Sequence, residues 1–102
     1  FEEAKHFFRP DFSDLHNPFL MKGMQIAVDV LQKCIEEKST IMVFGDYDVD
    51  GTCSVALVEL LLTKWGANVI CYQPDRFAEG YGVSKEGIDF AKENNCQLIV
   101  AL

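Results

Sequence analysis

Three short apolar runs, Thr40–Phe44, Asn68–Tyr72 and Leu98–Leu102, are separated by stretches with helical rather than alternating periodicity. Strands spaced by helices cannot pair as tight hairpins; they lie parallel, joined by crossover helices. The sequence therefore predicts an α/β fold, a parallel sheet in βαβαβ order. In the first crossover, Thr52–Trp65 carries Val55, Ala56, Val58, Leu61 and Leu62 at helical spacing, and Gly66 supplies the stop. The second starts from Ser84, a good helix N-cap, and includes Gly87–Lys92. Ahead of the first run, Leu20, Met24, Ala27, Val28, Leu31, Cys34 and Ile35 recur at three- and four-residue steps, which predicts an amphipathic helix over Phe19–Lys38. Residues 1–18 mix Phe7, Phe8, Phe12 and Leu15 with Pro10 and Pro18, and read as an irregular arm with short helical turns packed onto the core.

In a parallel sheet, ligands collect at the carboxyl ends of the strands. Two polar loops, Asp46–Gly51 and Asp75–Gly82, follow the first two strands and are expected to lie side by side there. Asp46, Asp48 and Asp50 stand at alternate positions between Gly45 and Gly51, so three carboxylates are expected to converge on a hard divalent cation. A metal-free reading is a solvated turn whose acids face the positive end of the next helix. That accommodates one Asp well and three poorly. The string D-x-D-x-D-G also opens an EF-hand calcium loop, but the twelfth position counted from Asp46 is Leu57, and a strand precedes the loop. The calcium loop fails on both counts.

With 102 residues, 49% of them apolar, the chain has the size and composition of one globular domain or part of one. A net charge of −7 repels a polyanion, so a nucleic-acid substrate requires bound cations and basic surface from elsewhere. Cys34, Cys53, Cys71 and Cys96 form no C-x-x-C pair and are expected to be reduced, buried thiols. No apolar stretch approaches about 20 residues and no signal-peptide order is present, so a soluble, cytoplasmic protein without a membrane partner is expected. The start at Phe1 and the finish in an apolar run suggest a fragment of a longer protein.

The stretch Ile41–Thr52, read as IMVFGDYDVDGT, resembles motif I of the DHH phosphoesterase superfamily, in the form carried by its single-stranded-DNA exonucleases. Pro74–Ser84 resembles the loop after the second strand in that branch, and Leu15–Met21 its approach to the first helix. The resemblance implies residues 1–38 as an N-terminal arm and amphipathic helix, and 39–102 as the incomplete first part of a DHH-type catalytic domain. It implies a two-ion site for Mn2+ or Mg2+ with Asp46, Asp48 and Asp50 as catalytic and metal-binding residues. Two such cations, about 3.5–4 Å apart, serve phosphodiester hydrolysis. The implied activity is a 5'-to-3' exonuclease of DNA repair and recombination, acting on single-stranded DNA among repair-protein partners.

Arg76, Gly80, Tyr81 and Gly82 are the implied substrate-binding residues, although pairing of Arg76 with Asp75 is an equally ordinary fate and packing under the loop is the commoner one for a ring such as Tyr81. His6 and His16 belong to no ligand pattern. The later acid and the Asp-His-His motif of the family are absent from these residues, so this polypeptide alone is expected to be inactive. Other readings stay open: a DHH-type enzyme for short oligonucleotides or cyclic dinucleotides, or a scaffold homologue without catalysis. Asp48-Val49-Asp50-Gly51-Thr52 also resembles the D-x-D-G-T motif of haloacid-dehalogenase-type phosphatases, with Gly45-Asp46-Tyr47 intervening after the strand.

Overall fold

A computed structural model describes residues 2–102; Phe1, the first residue of the expected arm, lies outside the described residues. The elements follow in the order α1 (Glu2–Phe8), α2 (Met24–Glu36), β1 (Thr40–Phe44), α3 (Val49–Lys64), β2 (Asn68–Tyr72), α4 (Lys85–Glu93) and β3 (Cys96–Ala101). Two 3-10 turns, Phe12–Asp14 and Pro18–Leu20, lie between α1 and α2. The strands are parallel in the order β2-β1-β3, with β1 in the middle. This is the α/β fold in βαβαβ order that the apolar runs predict.

The central place of β1 explains its unbroken apolar sequence, because a strand covered on both faces needs no polar alternation. Successive side chains point to opposite faces. Ile41 and Val43 meet Cys34 of α2 and Leu62 of α3, whereas Met42 and Phe44 meet Ala91 of α4. Full burial of such a side chain stabilises the fold by about 1.5–3 kcal/mol. Each helix that leads into a strand ends on a left-handed residue: Lys38 (φ 56°), Gly66 (φ 83°) and Asn95 (φ 53°). The Lys38 ammonium donates to the Gly66 carbonyl at 3.2 Å, tying two of these exits together.

Several boundaries differ from the sequence expectation, each for a local reason. Helix α2 begins at Met24 rather than Phe19, since Pro18–Leu20 forms a 3-10 turn capped by Asn17 and Gly23 then turns left-handed at φ 82°. Strand β3 begins at Cys96 rather than Leu98, because Cys96 pairs with Thr40 across a register irregularity, and it ends at Ala101. The arm is not packed onto the core. Phe7, Phe8, Phe12 and Leu15 are exposed, Phe12 by 90%, because α2, α3 and α4 already fill both faces of β1. The arm is held locally, by a 2.8 Å contact between His6 Nδ1 and Asp14 and by a capping box at Asp11. Nor are all the thiols buried: Cys34 is, but Cys53 and Cys71 are exposed and Cys96 is half-buried, all four unbridged. Cys53 lies on the long helix α3 and Cys71 on an edge strand, where the sheet covers only part of each element. Among the described residues no helix is long and apolar enough to cross a membrane.

Candidate functional site

Beyond Phe44 the chain turns between β1 and α3 under tight steric constraint. A Cβ on Gly45 would run into the Val55 side chain and lie 2.8 Å from the Gly51 carbonyl oxygen. A Cβ on Gly51 would lie 2.6 Å from the Asp46 nitrogen and 2.8 Å from the Asp46 carbonyl carbon. The first turn of α3 therefore rests directly on the backbone of residues 45–46, and both glycines are required for that approach.

Asp48 is the N-cap of α3, its Oδ1 accepting from the Gly51 N–H at 2.8 Å. The acidic segment is consequently shorter than the expected Asp46–Gly51 loop, because the helix already begins at Val49 and takes in Asp50. An Asp satisfies a free N–H group at the cap and faces the positive helix end, so the residue type that suggests a metal loop also starts a helix. The three carboxylates then occupy unlike settings. Asp46 is only 6% exposed and accepts from the Tyr47 N–H at 2.8 Å. Asp48 caps the helix, and Asp50 is exposed on its first turn. They do not converge as a ready cluster: among the described residues, no group of three or more His, Cys, Asp and Glu is placed to hold a metal ion.

The second loop does lie beside the first, as the parallel sheet requires. The Arg76 guanidinium stands 5.2 Å over the Tyr47 ring, and Tyr81 meets the same ring edge-on with centroids 6.0 Å apart. Tyr81 is 76% exposed rather than packed beneath its loop. The negative charges of Asp46 and then Asp48 raise the pKa of its hydroxyl. Gln73 Nε2 donates to the Asp46 carbonyl at 3.2 Å and to Thr52 Oγ1 at 2.6 Å, clamping the end of β2 to the acidic turn. Gly80 and Gly82 both have positive φ, 83° and 85°, with open space around them. Arg76 is not paired with Asp75, whose Oδ1 instead accepts from the Phe77 and Ala78 N–H groups, each at 2.8 Å.

Glu79 closes this loop from inside. Its Oε1 accepts from the Asp75 N–H at 2.8 Å, and its Oε2 accepts from the Tyr72 hydroxyl at 2.8 Å and from Ser84 Oγ at 2.5 Å. The sequence assigns no role to Glu79, Tyr47 or Gln73, although Tyr47 and Glu79 lie in the stretches Ile41–Thr52 and Pro74–Ser84, because their partners come from different elements.

Hydrogen bonds hold both loop carboxyls below the ordinary carboxylate range: those from Ala78 and Phe77 to Asp75, and those led by Ser84 and Asp75 to Glu79. A depressed folded pKa contributes order that is complete above the unfolded value, about 4, and lost as pH falls through the folded value. The Phe77 and Ala78 amide resonances are accordingly expected to stay constant from neutral pH down to about 4 and to move only below it. A midpoint at or above the ordinary carboxylate value rules out this account of the loop.

No family profile matches the chain. The single-stranded-DNA-specific exonuclease RecJ of Bacillus subtilis is 39% identical to it over 101 residues, which is 99% of this chain and 13% of that protein. RecJ of Escherichia coli is 40% identical over 83 residues, 80% of this chain and 14% of the relative. A crystal structure of exonuclease RecJ bound to manganese superposes with a TM-score of 0.75 at 33% identity, over 80% of this chain and 21% of that one. This chain is a RecJ-family segment. It spans a small part of the RecJ proteins it matches, and that part contains the β1–α3 turn, the second loop and the sheet between them.

The manganese in the RecJ crystal structure invites a test of whether the donors here suit such an ion. Hard divalent cations take oxygen ligands, and carboxylates are the strongest of these. Asp46 is a buried carboxylate with no ion pair to it among the described residues, and buried charges ordinarily either pair or coordinate metal. Asp48 uses Oδ1 for its cap, which leaves Oδ2 for another partner. The donor chemistry therefore fits a divalent cation at Asp46 and Asp48, with Asp50 two residues further on in the first turn of α3.

Proposed function

We propose that this segment supplies the acidic half of the catalytic centre of a metal-dependent phosphodiesterase, a single-stranded-DNA-specific 5'-to-3' exonuclease of DNA repair and recombination. The observation that carries the proposal is the seating of Arg76 and Tyr81 on the ring of Tyr47, the residue between Asp46 and Asp48, at the carboxyl ends of β1 and β2, in a chain 39% identical to a RecJ exonuclease. Asp46, Asp48 and Asp50 would hold Mn2+ or Mg2+ in a two-ion site, together with donors from other parts of a complete RecJ protein. Bound there, the cations supply Lewis-acid stabilisation of charge on the phosphate and the leaving oxygen. Residues 39–102 form, in this reading, the opening of a DHH-type catalytic domain, with 1–38 as its arm and first helix. The 102 residues alone would be inactive, and the working enzyme would be cytoplasmic among repair proteins.

The remaining residues bind and orient. Arg76 presents a planar cationic fork that suits a phosphate, and its seat on Tyr47 restricts the side chain before substrate arrives. Tyr81, exposed and close to both acids, offers a ring on which a terminal base stacks, a contact tolerant of sequence because every base has a π-face. Gly80 and Gly82 hold positive φ with no side chain in the way, so the backbone on either side of Tyr81 can approach the strand. The cations also answer the charge problem, since a chain at −7 repels DNA without them.

The substrate class is tested by offering the complete natural protein a long single strand, the matching duplex and a dinucleotide under identical manganese. The expected result is mononucleotide release from the 5' end of the single strand, at least about 10-fold faster than from either alternative, a gap of about 1.4 kcal/mol. Faster hydrolysis of the dinucleotide overturns the exonuclease assignment in favour of short substrates.

A further inference from the structure

We propose that Glu79 is a positioning residue for substrate binding: it fixes the 75–82 loop so that Arg76 and Tyr81 are presented to the acidic turn. The inference rests on the reading of Arg76 and Tyr81 given under Proposed function and adds the group that sets their placement. No other side chain of the loop joins three elements. Through Oε2, Glu79 holds Tyr72 at the end of β2 and Ser84 at the N-cap of α4, and through Oε1 it holds the backbone N–H of Asp75 at the loop entrance. Its own N–H donates to the Asp75 carbonyl at 2.9 Å, so backbone and side chain close the same turn. Ser84 in turn accepts from the Gly87 N–H at 2.9 Å, which fixes the start of α4 against the loop.

Arg76 lies inside the turn that Glu79 closes, and Tyr81 lies two residues after it, across Gly80. A left-handed glycine on each side leaves Tyr81 little intrinsic restraint, because glycine is the most permissive residue in the chain. The neighbouring anchors are therefore what hold the ring near Tyr47. Arg76 likewise has its guanidinium on the Tyr47 ring, with its backbone set by the Asp75 and Glu79 bonds. A carboxylate is needed at position 79 because all three bonds to it are donated by partners. A glutamine still accepts from the two hydroxyls through its oxygen, but it turns an amide donor toward the Asp75 N–H, a mismatch of two donors.

Glu79→Gln and Glu79→Ala are tested in the full chain by NMR and in the complete natural protein by kinetics. The Arg76 side-chain protons, shifted upfield by the Tyr47 ring in the parent, are expected to move toward ordinary arginine values in both variants. The buried methyl signals of Ile41 and Val43 are expected to stay in place. In kinetics, Glu79→Gln is expected to raise KM for single-stranded DNA about 10-fold with kcat little changed, as for supporting partners of a site. In an Arg76→Ala, Tyr81→Ala background the same change should raise KM no further, because both groups it positions are gone. Arg76 protons that keep their upfield shift in Glu79→Gln overturn the proposal, as does a KM effect that adds in full to the paired Arg76→Ala, Tyr81→Ala change. The NMR measurement needs no nuclease activity, so its outcome separates a failure of this inference from a failure of the exonuclease reading.

Discussion

Asp48→Asn is expected to lower manganese-dependent nuclease activity of the complete protein by about 10²–10³-fold or more, the scale on which loss of a charged group at a catalytic centre is felt. The thermal midpoint should barely move. The choice of Asn matters because the proposal gives Asp48 a second role beside the observed helix cap. One oxygen caps α3 through the Gly51 N–H at 2.8 Å, which leaves the other for a cation. Asn caps as well as Asp, so the substitution keeps the helix start and removes only the charge offered to the cation. Asp48→Ala removes both, and should add about 1 kcal/mol of destabilisation to the same loss of activity. Chelation of divalent metal should abolish the parent activity, and raising manganese should partly rescue Asp48→Asn by mass action. If Asp48→Asn retains parental rate and metal dependence, Asp48 is a cap alone and the acidic run is a solvated helix start.

That double role also explains which parts of the structure could be read from the sequence. Strand β1 was legible because burial on both faces leaves Thr40–Phe44 with one explanation. Ser84 was legible as a cap because it accepts from Gly87 three residues on, a local interaction written in local sequence. The start of α3 was not, since Asp is favoured both in cation loops and at helix N-termini, and only the observed Asp48–Gly51 bond decides between them. Likewise Gly66 announced its left-handed turn, whereas Lys38 adopts the same conformation with a residue type that gives no such signal. The site itself was half legible. The rule for parallel sheets placed the loops after β1 and β2 together, but the seating of Arg76 on Tyr47, and of Tyr81 against the same ring, depends on side chains far apart in sequence. The arm differs from the expectation because its aromatic residues imply burial, while both faces of β1 are already covered by α2, α3 and α4.

Gly51→Ala is expected to be the most destabilising single-methyl change in the acidic turn, at about 3 kcal/mol or more, the upper range for overpacking and close to the values reserved for special mechanisms. Helix propensity alone argues the other way, since alanine is favoured over glycine inside a helix by about 1 kcal/mol. The steric term wins because the added carbon meets backbone, 2.6 Å from the Asp46 nitrogen and 2.8 Å from its carbonyl carbon, and backbone cannot rotate aside. Relief requires the first turn of α3 to lift off residues 45–46. That movement would carry Asp48 away from Asp46 and loosen the Gln73 bonds to the Asp46 carbonyl and Thr52. Stability and metal affinity should therefore fall together in this variant, unlike Asp48→Asn, in which only metal affinity falls. Gly80→Ala is the control: the space around it is open, so its cost is confined to the left-handed φ of 83°, about 1–2 kcal/mol. Urea unfolding of the three variants beside the parent gives the comparison. A Gly51→Ala protein as stable as the parent would mean that α3 does not rest on the Asp46 backbone, and the close approach that unites the acidic turn would have to be abandoned.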